Sequence, residues 1–138
     1  MKSLKQLMDL KGRVALITGG AGHIGSAMAQ ALAELGANIV ILDIDEQKAS
    51  EVATRLTKEY GVDAMAVAVD LAHDDAIRAV PAQVIKKFGR LDILVNNAAL
   101  VGTSNLKGWG VPFKDQSVES WRAALEINLT AAFVLTQA

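Results

Sequence analysis

Residues 18–25 read TGGAGHIG. Gly20, Gly22 and Gly25 stand there in the order G-x-G-x-x-G, directly after an apolar run and directly before a stretch with helical spacing. In that setting each glycine has a physical reason to be there. One permits a tight turn, one a close approach of backbone to a pyrophosphate, and one the close packing of helix on strand. The free N–H groups and positive dipole end of the helix would face the phosphates. Alone the pattern is weak, since a glycine-rich turn without a ligand reads the same; the flanking elements favour the nucleotide. A P-loop is excluded because no Gly-Lys-Ser/Thr follows. Thr18 stands where a methyltransferase loop usually has an acidic strand end.

Outward from this loop, strand and helix alternate. Residues 13–18, RVALIT, form an apolar run suited to a strand buried on both faces. A helix is predicted over 24–35, with Ile24, Met28, Ala31, Leu32 and Leu35 on one side and Gly36 as its stop. Strands follow at 38–43, 64–70 and 91–95. Helices are expected at 46–60, closed by Gly61, and at 73–88, closed by Gly89; Pro81 should kink the latter or split off its first turn. A last helix starts at about Ser117, an N-cap candidate with Glu119 in the first turn. Such alternation implies an α/β fold: parallel strands, right-handed crossovers and helices on both faces of a doubly wound sheet. Residues 1–138 read as one Rossmann-type domain or part of one. TAAFVLTQA (130–138) is still in helical pattern, and four strands are about half of a dinucleotide fold, so the sequence is expected to be an N-terminal piece of a longer domain.

Composition narrows the function. The 138 residues are 51% apolar and 21% charged, enough for a packed core. A formal net charge of −1 with interspersed signs argues against a nucleic-acid partner. The absence of cysteine removes disulfides, thiolate metal sites and a cysteine nucleophile. His23 and His73 belong to no metal-ligand spacing, so no metal is expected. MKSLKQLMDLKGR (1–13) lacks the apolar segment of a signal peptide, and no apolar run approaches a membrane span. A cytoplasmic location is expected.

Asp43 closes the second strand, eighteen residues after Gly25. A carboxylate there can accept both ribose hydroxyls of an adenosine and would repel a 2′-phosphate. No Arg or Lys stands in 19–25 or 43–47, so NAD is favoured over NADP. The competing reading is a cap or loop acid, a role that Asp45, just before Glu46, fits better.

Four motifs in order now form a pattern: TGGAGHIG, Asp70-Leu71 after the third strand, NNAA at 96–99, and Asn128 within EINLTAAF. Together they resemble the short-chain dehydrogenase/reductase family, from about Leu10 to the end. The resemblance implies an oxidoreductase that moves hydride between a nicotinamide and a small alcohol or carbonyl substrate. It places Thr18, Gly19, Gly20, Gly22, His23, Ile24 and Gly25 at the pyrophosphate. Asp43 goes to the ribose, Asp70 and Leu71 to the adenine, and Asn97, Ala98 and Ala99 beside the cofactor's ribose. Asn96 would tie neighbouring strands together. Asn128 matches the helix asparagine of the catalytic tetrad, whose backbone anchors a water in a proton relay; simple buried hydrogen bonding is the alternative reading. Ala99 departs from the family's usual glycine. His23 stands where classical members commonly have glycine; it would be a donor to the pyrophosphate or a solvent-facing rim residue, with an ordinary φ, leaving Gly22 to take any unusual conformation.

The T-G-x-x-G-x-x-G spacing is also typical of extended members, including sugar-nucleotide epimerases and dehydratases, which stay an alternative; so does a non-catalytic NAD-binding regulatory module. Residues 100–116 look longer than the commonest family spacing, with Gly102, Gly108 and Gly110 making them pliable. Trp109 and Phe113 would cover substrate or pack on the domain, and Trp121 would join the core or a subunit interface. The family's acid/base tyrosine is activated by a lysine four residues on, because an ammonium stabilises phenolate. Here the one tyrosine, Tyr60, is followed at that spacing by Ala64. The 138 residues alone are therefore expected to be inactive. Family members commonly form dimers or tetramers, and a homo-oligomer is expected of the full-length protein.

Overall fold

The computed structural model describes residues 3–101 and 106–138. After a short helix α1 (Leu4–Leu7), β1 (Val14–Thr18) enters the centre of a parallel sheet with the order β3-β2-β1-β4. Its five residues are all buried. Alternation sends Val14 and Leu16 to one face and Ala15 and Ile17 to the other, so the run has to be apolar throughout. β2 (Asn38–Asp43), β3 (Ala64–Ala68) and β4 (Ile93–Val95) complete the sheet.

α2 (His23–Glu34) and α3 (Glu46–Tyr60) cover one face through Ala29, Ala33, Ala49, Ala53 and Leu56. α4 (Asp74–Arg78), α5 (Val80–Phe88) and α7 (Ala131–Gln137) cover the other through Ile77, Val80, Val84, Val134 and Leu135. The fold is thus the expected doubly wound Rossmann type. Leu16, Ile17, Ile39, Ile41 and Leu42 are fully buried, each worth about 1.5–3 kcal/mol by transfer.

Two local expectations change. The predicted apolar side of α2 is not the side that meets the sheet. Gly25, Ala29 and Ala33 pack inward, whereas Ile24 is 67% and Met28 41% exposed. Small residues at this spacing let the helix lie close to the sheet, and the bulkier ones are turned away. The predicted third and fourth strands are also shorter, ending at Ala68 and beginning at Ile93. Pro81 does split its helix: Ala79 separates α4 from α5, with the proline in the first turn of α5, where its missing N–H costs nothing.

The last helical stretch has three parts. α6 (Val118–Leu125) is capped by Ser117, whose hydroxyl oxygen accepts from Ser120 N–H at 3.0 Å. It widens to a π turn at Glu126–Thr130 and continues as α7. The segment before it folds onto its start. Ser117 N–H donates to Gly108 O, Ser120 Oγ donates to Lys107 O, and Trp109 lies 6.2 Å from Trp121, centroid to centroid. Trp109 therefore packs on α6, while Phe113 is 88% exposed. Gly102, expected to loosen this loop, lies outside the described residues.

Candidate dinucleotide site

The carboxyl ends of β1, β2 and β4 meet at TGGAGHIG. Gly19 makes the turn out of β1 with φ +61°, and a Cβ there would lie 3.0 Å from Ala98 Cα. The left-handed residue is thus Gly19, not Gly22. Gly22 is the extended N-cap of α2 at φ −74°. It can be ordinary because the chain has already reversed three residues earlier. At Gly25 a Cβ would stand 2.2 Å from Gly19 O and 2.9 Å from Asn97 Nδ2, so the helix start presses on the loop it follows. At Gly20 it would meet Ile17 O and Ile41 Cγ2, both at 3.0 Å. Backbone sterics therefore hold the loop in one shape.

Asp43 holds it from the side. Its Oδ2 accepts from Ala21 N–H at 3.0 Å, and its Oδ1 accepts from Asp45 N–H at 3.2 Å. Asp45 is the N-cap of α3, accepting from Lys48 N–H and pairing with the Lys48 ammonium at 2.8 Å, which holds its carboxyl below the usual range. The two acids divide as the sequence suggests, one capping and one standing at the loop.

Thr18 is buried, and its hydroxyl oxygen accepts from Asn97 N–H at 2.9 Å and Ala98 N–H at 3.0 Å. Asn97 Nδ2 donates to Thr18 O and Gly19 O. The amide that ties β4 to β1 is therefore the second asparagine, not the first. Asn96 turns the other way and donates to Thr136 Oγ1 on α7 at 3.2 Å. β4 ends at Val95, and successive side chains then face opposite sides.

Asn128 sits in the π turn. Its Oδ1 accepts from Leu100 N–H at 2.7 Å, and its Nδ2 donates to Leu100 O at 3.0 Å. Both ends of the side chain are used in holding the segment that leaves β4. Thr18, Leu71, Asn96, Ala98 and Asn128 line a cavity of about 20 Å³, room for one water.

Gly19, Gly20, Gly22, Gly25, Asp43, Asn97 and Ala98 thus converge, with His23 and Ile24 exposed on the first turn of α2. Ala99 is exposed just beyond. Asp70 lies two residues past β3, its Oδ1 accepting from Ala72 N–H and its Oδ2 3.7 Å from His73 Nε2. Leu71 is buried in the core. Tyr60 is remote, because α3 runs antiparallel to the strands and carries it to the opposite sheet edge, where its hydroxyl accepts from Gln30. Ala21, Leu100 and Thr136 are absent from the expected set. Two of them act through backbone groups, which leave no residue-type signal, and Thr136 shows only as a polar position in an apolar helix.

This arrangement has close counterparts. The short chain dehydrogenase family matches residues 13–138. The chain belongs to that family. A 3-oxoacyl-[acyl-carrier-protein] reductase of rhamnolipid biosynthesis from Pseudomonas aeruginosa is 38% identical over 94% of the chain and 47% of the reductase. Among solved structures, a metagenomic short-chain oxidoreductase in complex with NADP is 37% identical, with a TM-score of 0.82 over 94% of this chain and 56% of that one. An NAD+-bound xylitol dehydrogenase is 31% identical, with a TM-score of 0.84 over 94% and 47%. The chain spans about half the length of the first curated relatives it matches.

Proposed function

We propose that this chain forms the nucleotide-holding half of an NAD-dependent oxidoreductase acting on a small alcohol or carbonyl compound. The observation that carries the reading is the loop at the start of α2. It is packed so that Gly25 admits no side chain and Gly20 leaves little room for one, Gly19 takes a left-handed φ, and the loop is braced by a carboxylate at the end of β2. Relatives in complex with NADP and with NAD+ support a nicotinamide dinucleotide in general. The match to the short chain dehydrogenase family favours neither the epimerase nor the regulatory alternative.

The first-turn N–H groups of α2 have no capping side chain, because Gly22 has none to give, and they would bind the pyrophosphate. Asp43 would accept from the adenosine ribose, and its charge would disfavour a 2′-phosphate. Asp70 and the backbone of Leu71 would flank the adenine, and Asn97, Ala98 and Ala99 would line the ribose path. A bound nicotinamide supplies or takes up the hydride. Asn128 would keep its backbone at the π turn available for a relay water while its side chain holds Leu100. No tyrosine–lysine pair exists within the 138 residues, so their part is to hold and orient the dinucleotide. Trp121, Leu125, Leu129 and Phe133, all exposed along α6, the π turn and α7, would form a subunit interface of a cytoplasmic oligomer.

Calorimetric titration with NAD and NADP tests the reading. We expect the native chain to prefer NAD by about tenfold or more, and Asp43→Asn, which keeps an acceptor for Ala21 N–H, to lose most of that preference. Equal affinities for the two dinucleotides in the native chain would overturn the role given to Asp43. Failure to bind either would overturn the site.

A further inference from the structure

β3 closes one side of the sheet, and parity decides which of its backbone groups are left outside. Ile39 N–H donates to Asp63 O and Val69 N–H donates to Asp43 O, so the odd residues turn their backbone groups toward β2. Ala64, Ala66 and Ala68 then turn theirs outward, where no further strand pairs among the described residues. The strand reads AMAVA, without the charge or proline that commonly blunts an edge. Beside it runs an open groove of about 480 Å³, lined mostly by small residues such as Ala64, Ala66, Ala53 and Thr57. Lys58 and Met65 are the long side chains on its lining. One contact does occupy the edge: Lys87 of α5 donates from Nζ to Ala64 O at 3.3 Å, while its ammonium also lies 5.3 Å from the centre of the Phe88 ring.

We propose that Lys87 guards the open edge of β3 against antiparallel pairing with the β3 edge of a second copy of this chain. The edge is self-complementary, because a two-fold axis at Ala66 sets outward N–H groups opposite outward carbonyls. Pairing would displace the ammonium from Ala64 O in both copies and strip water from two charges at one seam. A neutral side chain at position 87 removes that opposition.

The test compares the native chain with Lys87→Gln and Lys87→Arg, by sedimentation velocity and by hydrogen exchange at the Ala66 and Ala68 amides. In Lys87→Gln, larger species should appear with rising concentration, and exchange at those two amides should slow about tenfold or more. The native chain and Lys87→Arg should show no such slowing. Adding Ala68→Lys, at an exposed position on the same edge, should return Lys87→Gln to native behaviour. Two results would overturn the proposal: exchange at Ala66 and Ala68 in Lys87→Gln that is as independent of concentration as in the native chain, or slowed exchange at those amides that survives the added lysine. Sedimentation registers any self-association, but exchange at those two amides follows this edge alone, so association through the exposed face of α6 and α7 would not mimic the expected pattern.

Discussion

The two sides of the site are held by different physics. On the β1–α2 side the loop is fixed by backbone packed on backbone: a Cβ on Gly25 would meet Gly19 O and Gly20 Cα, with buried β1 and the buried middle of β2 beneath. On the β4–α7 side β4 is short and only half-buried, and the connection is made by side-chain amides. Asn97 reaches back to Thr18 and Gly19, and Asn128 reaches across to Leu100. Steric fixation tolerates no added atom where backbone already fills the space, as at Gly25. Amide fixation tolerates added atoms and fails when a donor or acceptor is lost.

The sharpest way to break this contrast is Gly25→Ala. One methyl group must displace backbone rather than a flexible side-chain end, so we expect a loss of about 2–4 kcal/mol in urea unfolding and loss of dinucleotide binding. Gly22→Ala, whose Cβ would come no closer than 3.3 Å to Gly19 O, should stay within about 1 kcal/mol of the native chain. Equal costs for the two would mean that the loop adapts and that the steric account is wrong.

Asn128→Ala probes the other side. It leaves Leu100 N–H and C=O to water, and we expect about 0.5–1.5 kcal/mol of destabilisation with faster exchange of the Leu100 amide. Asn128→Asp keeps the acceptor and loses the donor, so it should fall between. Unchanged exchange at Leu100 in Asn128→Ala would show that the segment is held by something else.

The same contrast separates what the sequence makes legible from what it hides. The strand-loop-helix at 13–35 is readable because its determinants are local: an apolar run, glycines at fixed offsets, then helical spacing. The inward side of α2 is not readable in the same way, because Ile24 and Met28 are apolar yet point to solvent, and the helix's distance from the sheet selects Ala29 and Ala33. Which asparagine of NNAA faces β1 depends on where β4 ends, a boundary that an apolar run does not mark. The bond from Asn128 to Leu100 spans 28 residues and ends on backbone, so no residue type announces it. The π turn at Glu126–Thr130 is equally silent in a sequence that reads as continuous helix.

A smaller effect is expected at the start of α6, where capping is local and legible. Ser117→Ala removes the acceptor for Ser120 N–H and should cost about 1 kcal/mol. The Trp109–Trp121 contact would loosen with it, so tryptophan fluorescence should shift during the same unfolding measurement. Ser117→Asp restores an acceptor at the positive end of the helix and should recover most of the loss.

The last difference appears only in acid, at the sheet edge opposite the site. Asp92 connects the starts of β4 and β1. Its carboxylate takes hydrogen bonds from the Arg90 guanidinium and from Val14 N–H, with Arg13 3.5 Å away, and these hold its pKa down to about 2. In the unfolded chain an aspartate titrates near ~3.9. The folded state therefore binds this proton less readily than the unfolded one, and the stabilisation is complete above the unfolded value. It is lost as the pH falls from about 4 towards 2. Asp92→Asn should remove that part of the pH dependence and leave the dinucleotide affinity unchanged, because Asp92 touches neither the glycine loop nor Asp43. Parallel stability profiles for native and Asp92→Asn chains between pH 5 and 2 would show that the pairing with Arg90 does not discriminate folded from unfolded chain.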